Sequence, residues 1–302
     1  MRPMKAISFG AVLWDVIEGQ EHIGGAPFNL AAHLAQMGST SWMISRVGTD
    51  RRGAAARAEM RRLGVRPDWV PEDAAHPTGW VDVALSAGGQ PAFTIHADVA
   101  FDFIEAQPEL LKAAQHPVDA FCFGTLEQRS PTTRRALFRL LDAVHAKHFF
   151  YDVNLRQNYY SARQVQDSLI HSTIVKLNDD EVNVLSRTLY GSALTEKEFV
   201  ARVHKQYPRV WIVCVTKGAR GCTVYWDGGA EDCPGIPVQV ADTVGAGDAF
   251  SAAFLFKYCA GGSPAESAEF ANRIGAFVAS RRGAVPEYTP EIRDLIRAVA
   301  AP

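Results

Sequence analysis

The chain lacks a strong charge of either sign: 31 Lys and Arg stand against 33 Asp and Glu, a formal net charge of -2. That excludes the basic field by which proteins hold nucleic acid or anionic lipid. The pairs Arg51-Arg52, Arg61-Arg62 and Arg281-Arg282 are short and scattered, and the first two suit solvated helix faces. Cysteine is scarce. Cys122, Cys214, Cys222, Cys233 and Cys259 are odd in number, lack C-x-x-C spacing and sit mostly among apolar or β-branched neighbours, so they read as reduced thiols of a cytoplasmic protein. No apolar stretch approaches the roughly 20 residues that span a bilayer. The opening Met1-Arg2-Pro3-Met4-Lys5, with an apolar run to Trp14, imitates a secretory leader. Asp15 and Glu18 follow without a small-x-small cleavage site, so the segment reads as a first buried strand. The phosphate-loop pattern G-x-x-x-x-G-K-[ST] is missing, as are internal repeats, low-complexity tracts and long linkers.

What is present is apolar material in quantity, 47% of 302 residues, enough for one large α/β domain or for two domains. Strand-like runs recur at 6–10, 41–47, 120–124, 149–153, 174–178 and 210–215. Between several of them lie helical patterns at 28–37, 132–147 and 181–189. This alternation predicts a mostly parallel sheet covered by helices, with ligands at the carboxyl ends of the strands. Two pieces break the pattern: 12–23, and a hairpin in which 78–85 and 92–96 flank a turn at 86–91. They fit edge decoration or a small sheet that covers a site and excludes water.

The most informative run is Asp242-Thr243-Val244-Gly245-Ala246-Gly247-Asp248-Ala249-Phe250. Two glycines flank an alanine, an acid follows, and an apolar helix begins. Such a helix start offers unpaired N–H groups and the positive end of the helix dipole, which suits a phosphate or a developing anion. A carboxylate there repels an anionic ligand, so Asp248 reads as a proton acceptor beside a phosphoryl group. A plain helix cap also fits it.

Four further patterns carry polar chemistry. Gly24-Gly25-Ala26-Pro27-Phe28-Asn29 is a double-glycine turn entering a helix, where Asn29 suits a hydroxyl or a cap. Asp15 lies just past the first strand, where a carboxylate accepts sugar hydroxyl protons or caps a turn. Asp152, Asn154 and Arg156 alternate at a strand end, and Asn178-Asp179-Asp180-Glu181 begins the next helix, fit for hydrated magnesium or for capping alone. Thr216-Lys217-Gly218-Ala219-Arg220-Gly221 joins two strands, as a hairpin or as a phosphate contact.

In this order, the five patterns resemble the ribokinase-like sugar kinases, the PfkB family, from about Gly10 to Pro286. Gly24-Gly25-x-x-x-Asn29 and Asp242-Thr243-x-Gly245-Ala246-Gly247-Asp248 are the specific parts. The resemblance implies an α/β fold: a three-layer α/β/α sandwich over 1–302 with a mostly parallel central sheet, and a small β-sheet lid from segments about 12–23 and 76–98. It implies Asp248 as catalytic base, with the N–H groups of Gly245, Ala246 and Gly247 steadying the phosphoryl charge. By the same resemblance Asp15, Gly24, Gly25, Asn29 and Arg156 bind sugar, and Phe93, with Trp14 and His96, and Glu127 or Gln128 are further candidate sugar contacts. Asn178, Thr216, Lys217, Gly218, Gly221 and Asn272 are carried over as nucleotide contacts. Glu181 organises Mg2+ through water, and Asp242 and Thr243 are the place for a possible K+.

The expected activity is therefore transfer of the γ-phosphoryl of ATP to the primary hydroxyl of a sugar, with no nucleic-acid or membrane partner and a homodimer through the lid as one assembly open to it. Segments 10–15, 123–129 and 151–157 resemble the fructokinase-like branch, which makes fructose the leading substrate. Ala11 departs from that branch, where Glu usually follows the first-strand glycine. The alternatives are kinases of ribose, 2-keto-3-deoxygluconate, a nucleoside or a ketose phosphate, and a non-catalytic sensor.

Overall fold

A computed structural model describes residues 2–85 and 91–300; the side chains of 83–85, 91–93 and 300 lie outside the description. The chain opens with β1 (Lys5–Phe9), β2 (Leu13–Ile17), β3 (Gln20–Gly24) and α1 (Ala26–Gln36). Next come β4 (Thr40–Ile44), β5 (Val47–Gly48), α2 (Arg51–Arg62), β6 (Val65–Trp69), β7 (Glu72–Asp73), β8 (Gly79–Leu85) and β9 (Pro91–Ile95). After α3 (Pro108–Ala114), β10 (Val118–Phe123), α4 (Pro131–Ala143), β11 (Ala146–Asp152), α5 (Ala162–His171) and β12 (Ile174–Asn178) follow. The last part holds α6 (Asp179–Tyr190), α7 (Glu196–Gln206), β13 (Ile212–Thr216), β14 (Gly221–Trp226), β15 (Gly229–Pro234), α8 (Ala246–Cys259), α9 (Pro264–Ala279) and α10 (Pro290–Ala300).

Nine strands form the main sheet in the order β15-β14-β13-β12-β11-β10-β1-β4-β6. Neighbours from β6 to β13 run parallel, and β14 and β15 add an antiparallel edge. The apolar strands owe their composition to burial on both faces. On one face, α3 to α7 pack their apolar stripes, as with Leu137 and Leu140 of α4 and Val182 and Leu185 of α6. On the other lie α1, α8, α9 and α10. Helix α8 is buried from Ala249 to Phe256, packed between α1 and α9, which is why its sequence is apolar all round.

The two pieces that break the alternation form one four-stranded sheet, β3-β2-β8-β9, in which β2 and β8 are parallel and the other neighbours antiparallel. The hairpin turn expected at 86–91 has only Pro91 among the described residues. The run 41–47 divides: β4 ends at Ile44, and Val47 pairs instead with Glu72 of β7. Strand β6 was not expected from the sequence. Its Pro67 is tolerated because β6 is the edge of the main sheet. All five cysteines are free, and no helix among the described residues is long and apolar enough to cross a membrane.

Candidate active site

The carboxyl ends of β1, β10, β11, β12 and β13 meet the lid across a cavity of about 1340 Å³. Leu13, Asp15, Val81 and Ile95 of the lid line one end; Thr216, Gly218, Gly221, Asn272 and the segment 235–238 line the other. Between them stands the start of α8, with Gly245, Ala246, Gly247 and Asp248 all on the wall.

Gly245 is the N-cap of α8, with φ at 77° and no capping side chain. A Cβ there would come within 2.4 Å of the Ala284 carbonyl oxygen, so conformation and space both demand glycine. The Ala284 segment is held from the other side by His33 of α1, whose Nε2 lies 2.9 Å from the same carbonyl oxygen and whose Nδ1 lies 2.7 Å from the Tyr288 hydroxyl. Burial pushes the His33 imidazole down to about 4, so it is a neutral brace at physiological pH. The Ala246 N–H donates to the Thr243 carbonyl at 3.3 Å rather than standing free.

Asp248 projects from this first turn and accepts a hydrogen bond from Asn29 Nδ2 at 2.8 Å. The two specific sequence signatures, 219 residues apart, thus meet in one contact. Burial raises the Asp248 carboxyl to about 6 with help from the negative Asp152, while the Asn29 bond, Lys176 and Arg156 pull it down. Asp15 is also raised to about 6, by burial against the opposing charges of His22 and Arg156. Its Oδ2 overlies Gly24, where a Cβ would stand 2.6 Å away, so Gly24 makes room for Asp15 and does not itself line the cavity.

Gly25, Asn29, Glu127, Arg156, Asn178, Lys217 and Thr243 line the cavity as well. Glu127 is buried, and its Oε1 accepts the Ala11 N–H at 3.0 Å. Several candidates point elsewhere. The Gln128 amide donates to the Gly124 carbonyl at 2.9 Å and the Ser168 hydroxyl at 2.8 Å, away from the cavity. The Lys217 ammonium turns to Glu196 at 3.1 Å and to Thr223. Glu181 closes a capping box with Asn178: its Oε2 accepts the Asn178 N–H at 2.8 Å and its Oε1 the Leu155 N–H at 2.7 Å. It steadies the loop carrying Arg156 from behind and is absent from the cavity wall. The Asn272 amide donates to the Cys233 carbonyl at 3.1 Å and to that of Pro234, fixing the start of segment 235–238. Asp242 accepts the N–H groups of Val244 at 3.0 Å and Gly283 at 3.1 Å, which ties the α8 turn to the 281–286 loop.

On the lid, Trp14 donates to the Arg52 carbonyl at 3.1 Å, and His96 stacks on Trp80 at 4.1 Å and bonds Asp82, so neither serves the cavity. The Phe93 side chain lies outside the described residues. Sequence reasoning missed Lys176 and His33. Each had a signal, a lone titratable residue inside an apolar strand or helix: Ile174-Val175-Lys176-Leu177 and Leu30-Ala31-Ala32-His33-Leu34.

A family model described as the pfkB family carbohydrate kinase matches residues 4–291. The chain belongs to that family. This pfkB-family chain is thus an ATP-dependent carbohydrate kinase of ribokinase-like fold. It is 29% identical to fructokinase-1 of Oryza sativa subsp. japonica over 319 residues, covering 96% of each chain. It is 29% identical to a fructokinase of Escherichia coli over 276 residues, 87% of each. Among solved structures, the fructokinase with bound ATP from Xylella fastidiosa superposes with a TM-score of 0.84 at 21% identity, covering 98% of this chain and 99% of that one.

Proposed function

We infer that this pfkB-family kinase phosphorylates the primary hydroxyl of fructose at the expense of ATP. The observation that carries the reading is the carboxylate of Asp248, oriented by Asn29 at an uncapped helix start, midway along a cavity with a lid at one end and a glycine-lined segment at the other. The relatives named fructokinase, near 29% identity, support fructose as the sugar.

The sugar occupies the lid end, where Asp15 accepts from its hydroxyls and Arg156 donates to its oxygens. Leu13, Val81 and Ile95 exclude water above it. Asp248 takes the proton of the attacking hydroxyl as the oxygen–phosphorus bond forms, and the bond from the γ-phosphorus to the bridging oxygen of ADP breaks. A carboxyl at about 6 is ionised at neutral pH yet basic enough to share that proton. The N–H groups of Gly245 and Gly247 and the helix dipole face the phosphoryl charge.

Among the described residues no group of three or more His, Cys, Asp or Glu is placed to hold a metal ion. Asn178 and Asp180 on the cavity wall would stand beside a magnesium ion brought in with the nucleotide, and Glu181 would act on it through Asn178 or through water. Bound there, magnesium neutralises phosphate charge. A potassium ion beside the turn would be held by Asp242 and the Thr243 carbonyl.

ADP release measured with magnesium, potassium and a panel of sugars tests the reading. Fructose is expected to give the highest kcat/KM. A higher value for ribose, 2-keto-3-deoxygluconate, a nucleoside or a ketose phosphate overturns the choice of sugar, and no sugar-stimulated release overturns the kinase itself.

A further inference from the structure

Lys176 has no part in the mechanism above, yet it is the one charge on β12 and is buried. Its Nζ lies 3.1 Å and 3.3 Å from the two oxygens of Asp152, and both residues line the cavity. The Ser251 hydroxyl donates to Asp152 at 3.1 Å and sits 3.0 Å from the Gly247 carbonyl oxygen, so the pair is fastened to the first turn of α8. A Cβ on Gly247 would stand 3.3 Å from the Lys176 ammonium. Gly247 lies outside the left-handed region, and the atom nearest to that Cβ position is this ammonium.

We propose that Lys176 is an electrostatic positioning residue of the transfer step: anchored by Asp152 beneath the Gly245–Gly247 turn, its ammonium keeps Asp248 in the ionised form that accepts the proton. The proposal rests on the reading of Asp248 as the base. The groups facing Asp248 are Asn29 from α1, Asp152 from β11, Arg156 from the loop after it and Lys176 from β12; Asp15 of the lid stands across the cavity. Asp152 favours the protonated carboxyl, whereas Asn29, Lys176 and Arg156 favour the ionised one. Burial alone would push the Lys176 ammonium down, but Asp152, Glu181 and Asp248 outweigh it and hold the lysine above its ordinary range, so it stays charged.

The test compares Lys176→Met, Asp152→Asn and the double variant with wild type, by the pH dependence of kcat/KM and by carbon-13 NMR titration of the Asp248 carboxyl. The acid limb and the titration should move up by about one pH unit or more in Lys176→Met, move down in Asp152→Asn, and lie between the two single variants in the double variant, where both charges are gone. A role confined to packing would lower rate or stability without this pattern of signs. An unmoved titration in Lys176→Met overturns the proposal, as does a double variant that keeps the whole upward shift. If Lys176→Met does not fold, Asp152→Asn and the double variant decide: the single must lie below the double, and equality overturns the proposal. Wild-type turnover in Asp248→Asn would instead fail the base assignment, and this proposal with it. A sound base assignment with an unmoved titration fails Lys176 alone.

Discussion

The starts of α6 and α8 look alike in sequence, each placing an acid in the first helical turn, and the structure treats them in opposite ways. At α6 the acid is spent on its own helix: Asn178 and Glu181 satisfy each other's backbone N–H groups in a capping box. At α8 the N-cap is a glycine without a side chain, and Asp248 is drawn off by Asn29 from another helix. A capping box satisfies two of the first N–H groups from within the helix, whereas a glycine cap brings no side chain to the first turn and leaves the dipole open. The contrast separates two readings that composition leaves equal.

The comparison breaks first at Asp248. Replacing it with Asn should lower kcat by about 10²- to 10⁴-fold while ATP still binds, as rate assays and nucleotide titration would report. Next is Gly245→Ala, which forces a side chain into the left-handed region and against Ala284; a loss of about 2 kcal/mol or more in urea unfolding, with falling turnover, is expected. Below pH 6, kcat/KM should fall about tenfold per unit as Asp248 takes up its proton. Stability should respond with the opposite sign. Because folding raises this carboxyl from 3.8 to about 6, its ionised form is disfavoured in the fold, and that penalty grows as pH rises through this window. Asp248→Asn should therefore gain Tm over wild type more at pH 7 than at pH 4. The smallest effect is at α6: Asn178→Ala removes a cap and should cost about 1 kcal/mol of stability. Loss of ATP affinity larger than that stability loss would show that the α6 start also serves the nucleotide.

Much of the fold is legible because burial writes it into the sequence. Strands β1, β4, β10, β11, β12 and β13 are buried along most of their length, and α1, α4 and α6 keep the helical period. The structure also gathers Leu13–Ile17, Gln20–Gly24, Gly79–Leu85 and Pro91–Ile95 into a single small sheet that lines the cavity. What stayed hidden depends on partners far along the chain. Nothing near Gln128 reveals that Ser168 claims its amide, and nothing near Lys217 reveals Glu196. Edge strand β6, with its internal proline, carries too weak a pattern to stand out. Lys176 and His33 were visible as oddities, but their roles depend on Gly247 and Ala284, neighbours that only the tertiary structure supplies.

The Asn29–Asp248 contact has a consequence for how the molecule comes into being. Translation at roughly 5–20 residues per second places tens of seconds between the synthesis of these two residues. His33 waits longer, since its partner Tyr288 follows 255 residues later. The first helix leaves the ribosome carrying half of that contact, and contacts of such long range are slow to close. The nascent chain can build most of its parallel sheet before then, but α1 gains these partners only when the last part of the chain docks.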